Sequence, residues 1–287
     1  MKVSGFTFVR NGVKYDYPFL ESMRSLLPLC DEIVIGVGRS EDDTLAQIQS
    51  LHSSKIKILE TIWDESNREN GSILSQQTNL ALDQTNGDWA IYLQADEILH
   101  EDSYPIIKEA MRLYKDDDEV DGLLFNYKHF YGSYQYVGNS RRWYRREIRI
   151  VRPQSGVRSW GDAQGFRING RKLRVKLIDA TIYHYGWVKP PERQQLKQKS
   201  FHKLWHPDAW IDRHVGNASE YNYNRGGKLL EYDGSHPAVM AERILKQNWS
   251  FQYNPWSVQQ PLKEKILDAV ESRCGWRIGE YKNYIII

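Results

Sequence analysis

The chain has 287 residues, 40% of them hydrophobic, enough for one large core with a smaller extension. Lys and Arg number 39 against 37 Asp and Glu, a formal net charge of +2, too balanced for a general nucleic-acid binder whose affinity comes from counterion release. Cys30 and Cys274 lie far apart with no metal-ligand spacing, which argues against a disulfide framework or a zinc ribbon, and no apolar run reaches the roughly 20 residues that span a bilayer.

The amino terminus, Met1-Lys2-Val3-Ser4-Gly5, lacks the apolar stretch of a signal peptide, so the expectation is a cytoplasmic protein. Residues 3–9 read as a strand, followed by a helix with Phe19, Leu20, Met23, Leu26 and Leu27 on one face. A second strand, 32–37, leads through Gly38-Arg39-Ser40-Glu41-Asp42-Asp43 into a helix with Leu45, Ile48 and Leu51 inward. A third strand is expected over 55–61 and a helix over 72–84. Gly87-Asp88 then turns the chain into a fourth strand, which ends at Gln94-Ala95-Asp96-Glu97. Strands alternating with helices predict βαβ units around a parallel sheet, whose ligand edge lies at the carboxyl ends of its strands. Two adjacent acids at that edge suit a hard divalent cation holding phosphate.

The next helix has Asp102 or Ser103 as its cap and Pro105 in its first turn, where the missing amide proton does no harm. It runs into Asp116-Asp117-Asp118-Glu119, read as a solvated turn. Mixed β segments follow over 122–129 and 147–152, with a hairpin at Asn169-Gly170, a pair that tolerates positive φ. A strand over 178–183 precedes His184-Tyr185-Gly186. Residues 191–204, 237–248 and 262–274 read as helices among aromatic loops. The 18 Tyr and 10 Trp supply amphipathic faces able to stack on sugar rings.

Phe8-Val9-Arg10-Asn11, the Ser40 to Thr44 turn, Gln94-Ala95-Asp96-Glu97 and His184-Tyr185-Gly186, in that order over about the first two thirds of the chain, together resemble a family 2 glycosyltransferase of the GT-A fold. The resemblance implies an α/β, Rossmann-like core over 1–188 with a mostly parallel central sheet flanked by helices. Residues 189–287 would form a helical, aromatic extension packed on the acceptor side. The implied activity is metal-dependent, inverting transfer of a sugar from a nucleotide-diphosphate donor to a hydroxyl of a glycan or lipid-linked saccharide. Such an acceptor is compatible with peripheral attachment at the inner face of a membrane, and nucleic acid is not an expected partner.

In the resemblance, Asp96 matches the second aspartate of an Asp-x-Asp motif that grips Mn2+ or Mg2+, and Gln94 replaces the first. His184 matches a late histidine serving the metal or the diphosphate, while a carbonyl-bonded, half-buried histidine reads equally well. Donor contacts are expected from Arg10, Asn11, Ser40, Asp42, Gln94, Ala95 and Asp96, although Asp42 also fits an ordinary helix cap. Asp162, in the glycine-flanked segment Ser159-Trp160-Gly161-Asp162-Ala163-Gln164-Gly165, is the candidate base for the acceptor hydroxyl, with a turn-capping aspartate as the equal alternative. Glu97, Arg142, Arg145 and Trp187 are candidates for supporting, phosphate or acceptor contacts, the arginines by forked hydrogen bonds. Tyr221 and Tyr223 are further candidates for the acceptor groove. A sugar-phosphate nucleotidyltransferase and a binding protein without catalysis stand as alternatives, the first disfavoured by the poor phosphate loop Arg10-Asn11-Gly12-Val13-Lys14.

Overall fold

The computed structural model describes every residue except 65, 67, 69, 216, 217 and 258–260. In chain order the first half holds β1 (Val3–Val9), α1 (Phe19–Leu26), β2 (Glu32–Gly38), α2 (Thr44–Gln49), β3 (Ile56–Thr61), α3 (Ser72–Leu82), β4 (Trp89–Tyr92), β5 (Glu97–Leu99) and α4 (Tyr104–Leu113). Then come β6 (Gly122–Tyr131), β7 (Ser133–Gly138), β8 (Arg146–Val151), β9 (Val157–Trp160), β10 (Gly165–Ile168) and the long β11 (Arg171–Trp187). The remainder holds α5 (Pro191–His202), α6 (Asp208–His214), β12 (Leu229–Glu231), α7 (Ala241–Leu245), α8 (Leu262–Cys274) and β13 (Tyr284–Ile286).

The strands form one sheet with the path β3-β2-β1-β4-β8-β6-β11-β10-β9. The β3-β2-β1-β4 half is parallel, as the βαβ pattern predicts. Beyond it β8 is antiparallel to both β4 and β6, and β11 returns parallel to β6. The alternation of side chains explains why these strands read as continuous apolar runs. Val3, Val9, Ile33, Ile35, Val37, Trp89 and Ile91 pack on one face with Met23 of α1, Ile48 of α2 and Met111 of α4. Phe6, Val34, Ala90 and Tyr92 pack on the other with Ala81 and Leu82 of α3.

Three expectations need correction. The strand expected over 178–183 is the middle of the 17-residue β11, which pairs along its length with β5, β6, β10 and β13. The helix expected over 237–248 shrinks to a 3-10 turn and the five residues of α7. The carboxyl-terminal segment is not purely helical: β12 pairs with β7 and β13 with β11, so it joins the sheet by backbone hydrogen bonds. The hairpin expected at Asn169-Gly170 is present between β10 and β11, with φ of 49° and 80°.

A side chain at Gly170 would meet nothing within 4 Å, so Gly170→Ala isolates the backbone cost of a left-handed residue. It is expected to lower stability by about 1 kcal/mol, read as a shift of the urea midpoint with unchanged slope.

Candidate active site

The carboxyl ends of β1 and β4 open into a cleft of about 760 Å³, the place where an open α/β sheet changes strand direction and binds ligands. Asn11 shapes its rim. With φ of 53° it turns the chain out of β1, its N–H donates to Ser40 Oγ at 3.0 Å, and its side-chain oxygen accepts from Glu41 N at 2.8 Å. Trp63 forms another wall, packed against Phe8 and against the bare backbone of Gly38, with the Arg10 guanidinium 5.5 Å from its ring centre.

At the floor lies Asp96, 7% exposed. Its Oδ2 accepts from Lys197 Nζ of α5 at 3.0 Å, and the same ammonium donates to Gly186 O at 2.9 Å. Its Oδ1 is 3.7 Å from His184 Nε2. Burial alone would push the Asp96 carboxyl up, but Lys197, His184 and the buried Lys189 outweigh it and hold the group well below the usual carboxylate range. Lys189 and Lys197 both stack on Tyr17, at 4.4 and 4.8 Å. Gly186 permits this crowding, because a Cβ there would stand 2.5 Å from Asp96 Oδ2 and 2.6 Å from His184 Nε2.

Two histidines set the proton positions. His129 Nε2 donates to Tyr144 O at 2.8 Å. Burial holds His129 well below its ordinary value, reinforced by His184, so the ring is neutral and its Nδ1 accepts from His184 Nδ1–H at 3.0 Å. Burial also lowers His184 against the pull of Asp96. The neutral His184 therefore turns the lone pair of Nε2 toward a carboxylate, an arrangement completed by a cation between them. Among the described residues no three His, Cys, Asp or Glu side chains form a metal cage. Asp96 and His184 thus fit a dication whose remaining ligands come from elsewhere, such as diphosphate oxygens.

Glu97 does something different from its neighbour. It is fully buried and receives both Nε and Nη2 of the equally buried Arg149 at 2.8 Å. Tyr127 OH at 2.9 Å and Gln94 N at 3.1 Å complete its shell. No oxygen is left for a metal or phosphate, so that candidate role is corrected: Glu97 anchors the loop that presents Asp96.

The other candidates divide. Arg10, Asn11, Gln94, Ala95, Asp96, Asp162, His184 and Trp187 all line the cleft. Gln94 Nε2 reaches Ala163 O at 3.5 Å, tying the edge of β4 to the segment that carries Asp162. Asp162 Oδ1 accepts from Gln164 N at 3.3 Å, so it caps its turn and still faces the cleft. Ser40 and Asp42 do not line it. Ser40 braces Asn11, and Asp42 accepts from Lys14 N at 2.6 Å and Thr44 N at 3.0 Å, tying the turn after β2 to the turn after β1, while the cap position of α2 is Asp43. Arg142 and Arg145 line a separate cavity. Tyr223 is buried against Tyr131 and donates to Lys189 O at 2.8 Å, and Tyr221 packs on it. Lys197, Tyr17 and Trp63 were not singled out from sequence, His129 has no distinctive sequence context, and Lys189 reads there only as an acceptor-groove candidate beside Trp187. The i,i+8 pair Lys189 and Lys197 bracketing the start of a helix was the one available cue.

The profile described as Glycosyl transferase family 2 matches residues 9–174. The chain belongs to that family, and its α/β fold is of the GT-A type. Among solved structures it is similar to S. aureus TarS, at 18% identity and a TM-score of 0.43, over 70% of this chain and 39% of that one. The chain thus spans well under half the length of that TarS chain. It is also similar to TarS 1-349 in complex with UDP-GlcNAc, at 14% identity and a TM-score of 0.42, over 75% of this chain and 70% of that one. No curated protein matches the chain.

One more buried acid borders the site. Glu147 Oε1 accepts from Gln164 Nε2 at 2.9 Å, and burial pushes its carboxyl up to about 8 against the pull of Arg149 and Gln164. In the unfolded chain the same group releases its proton near 4.5. Between those values folding takes up a proton, so stability falls as pH rises, with a slope approaching about 1.4 kcal/mol per pH unit. Glu147→Gln is expected to flatten the urea-stability profile across that window. Glu97→Gln, which strands the Arg149 charge, is expected to cost roughly 3–5 kcal/mol. The double variant Glu97→Gln, Arg149→Met is expected to lose less than the sum of the single variants in the same assay.

Proposed function

We propose that this protein is an inverting glycosyltransferase that moves a sugar from a nucleotide-diphosphate donor to a hydroxyl of a glycan or lipid-linked saccharide. The observation that carries the reading is the convergence of Asp96, His184 and Lys197 at the end of β4, inside a cleft large enough for a nucleotide sugar. Arg10 and Asn11 bind the nucleoside side of the donor, with the Trp63 indole as a stacking face for the base. Lys197 lies where it can pass from Asp96 to a phosphate oxygen. A Mn2+ or Mg2+ ion held by Asp96 and His184 would neutralise the diphosphate and improve it as a leaving group.

Asp162 serves as the base. Its carboxylate takes the proton of the acceptor hydroxyl as that oxygen bonds to the anomeric carbon, and the bond from that carbon to the diphosphate breaks on the opposite face. Configuration inverts in this single displacement. His129 takes no part in the bond changes. It holds the His184 ring in the tautomer that keeps Nε2 free.

A thermal-shift screen of nucleotide sugars with and without manganese tests the donor half of this reading, since a ligand bound to the native state alone raises apparent stability. A manganese-dependent shift is expected. Asp96→Ala is expected to abolish metal-stimulated donor hydrolysis while the circular dichroism spectrum is kept, and unchanged hydrolysis would remove Asp96 from the mechanism. Gly186→Ala is expected to lose the same manganese-dependent shift, because its methyl group displaces Asp96 or His184.

A further inference from the structure

A second cavity of about 650 Å³ lies beyond the wall of the cleft, and Tyr144 and Gln164 line both. Arg141, Arg142, Arg145, Arg146, Arg277 and Lys263 surround it. Their charge is only partly balanced. Glu280 is taken up by a forked pair with Arg145 at 2.8 and 2.7 Å. Glu271 serves Arg141 at 2.7 Å and Arg145 at 3.2 Å, with Arg277 3.6 Å away. Among the described residues Arg142, Arg146 and Lys263 have no carboxylate partner. Arg146 spends one nitrogen on Asn126 Oδ1 at 3.3 Å, and Arg142 one on Arg225 O at 2.6 Å. Arg142 and Lys263 are exposed and Arg146 half-buried, so a cluster of cations with spare donors lines the mouth of this cavity and attracts anions.

A second observation is independent of these charges. Glu147 also lines this cavity, is 4% exposed, and its Oε2 is buried with no hydrogen-bond partner among the described residues. A buried polar atom without a partner is rare in folded proteins and calls for one. Its other oxygen is held by Gln164, whose backbone N–H in turn holds Asp162. Gln164 therefore touches both sides, the cavity through Glu147 and the cleft through Asp162.

We propose that this cavity is an acceptor subsite for a negatively charged saccharide, receiving a phosphate or carboxylate of the acceptor on Arg142, Arg146 and Lys263. The saccharide then passes Gln164 and brings a neighbouring hydroxyl to Asp162. The assignment rests on the transferase reading above. Guanidinium forks match both anions in geometry. A polynucleotide is disfavoured, because the chain carries a net charge of only +2 and the unmatched cations are confined to one pocket instead of forming a track along the surface.

The test is calorimetric titration of the full chain at low salt with an oligogalacturonate, a phosphorylated oligosaccharide, a neutral maltohexaose and an oligo(U) RNA. One or both acidic saccharides are expected to bind at least about tenfold tighter than the neutral one, the scale of one charge-assisted hydrogen bond. Arg146→Gln with Lys263→Gln is expected to cancel that preference. If the double variant does not fold, Lys263→Gln alone, on the exposed side of α8, is expected to weaken the acidic ligand by a smaller factor. Equal affinity for neutral and acidic saccharides, or an acidic preference that survives the substitutions, overturns the proposal. Tighter binding of RNA that is lost in the same variants overturns it in favour of a nucleic-acid site. UDP titrated into the wild-type protein reads the donor cleft separately. Absence of UDP binding with acidic-saccharide binding intact counts against the transferase reading and leaves the anion site standing.

Discussion

The ion pair between Glu97 and Arg149 is the constraint on which the site depends. Two fully buried charges survive in a protein interior only when their geometry and hydrogen bonds offset the loss of water, and here both nitrogens of the fork, a tyrosine hydroxyl and a backbone amide supply that. The pair joins β5 to β8, and Tyr127 adds β6. Asp96 sits in the turn that Glu97 N closes onto Gln94 O at 3.0 Å, so fixing Glu97 in the interior holds that turn, and with it Asp96, at the cleft. Two acids that look alike in sequence thus divide into an anchor and a cleft-facing group.

The parts of this arrangement that were legible in sequence are those made locally. The alternating strands and helices of the first half, the end of β4 at Asp96 and the Asn169-Gly170 turn each follow from periodicity or from the φ preference of a residue pair. What could not be read depends on partners far away in the chain. Lys197 meets Asp96 across 101 positions and Arg149 meets Glu97 across 52, and neither has a local pattern that announces it. Short strands such as β5 and β13 exist only because β11 offers them an edge. The side chains of Ser40 and Asp42, expected to face a ligand, instead join the segment after β2 to the segment after β1.

The electrostatic design is layered. Around Asp96 the attraction of neighbouring groups, Lys197 first, exceeds the cost of burial, so the acid stays ionised although buried. Around Glu147 the balance tips the other way, because burial exceeds the help from Arg149 and Gln164. Between them stand Tyr144 and Gln164, which share surface with both cavities. Aromatic residues beyond this wall, including Tyr131, Trp143 and Trp187, pack largely on one another. Part of the aromatic enrichment read as sugar-stacking potential therefore packs Tyr221, Tyr223, Phe251 and Tyr253 of the carboxyl-terminal segment against the sheet.

The contact between Lys197 and Asp96 has one further consequence. The carboxylate already owns a counter-charge, delivered by a helix that lies outside the family-matched segment. Any dication arriving there enters by substitution, and the evicted ammonium must find a new anion within reach of its four-carbon arm. Occupancy of the two positions is then coupled: whatever supplies that anion also tightens the grip on the ion, so neither ligand need bind firmly by itself.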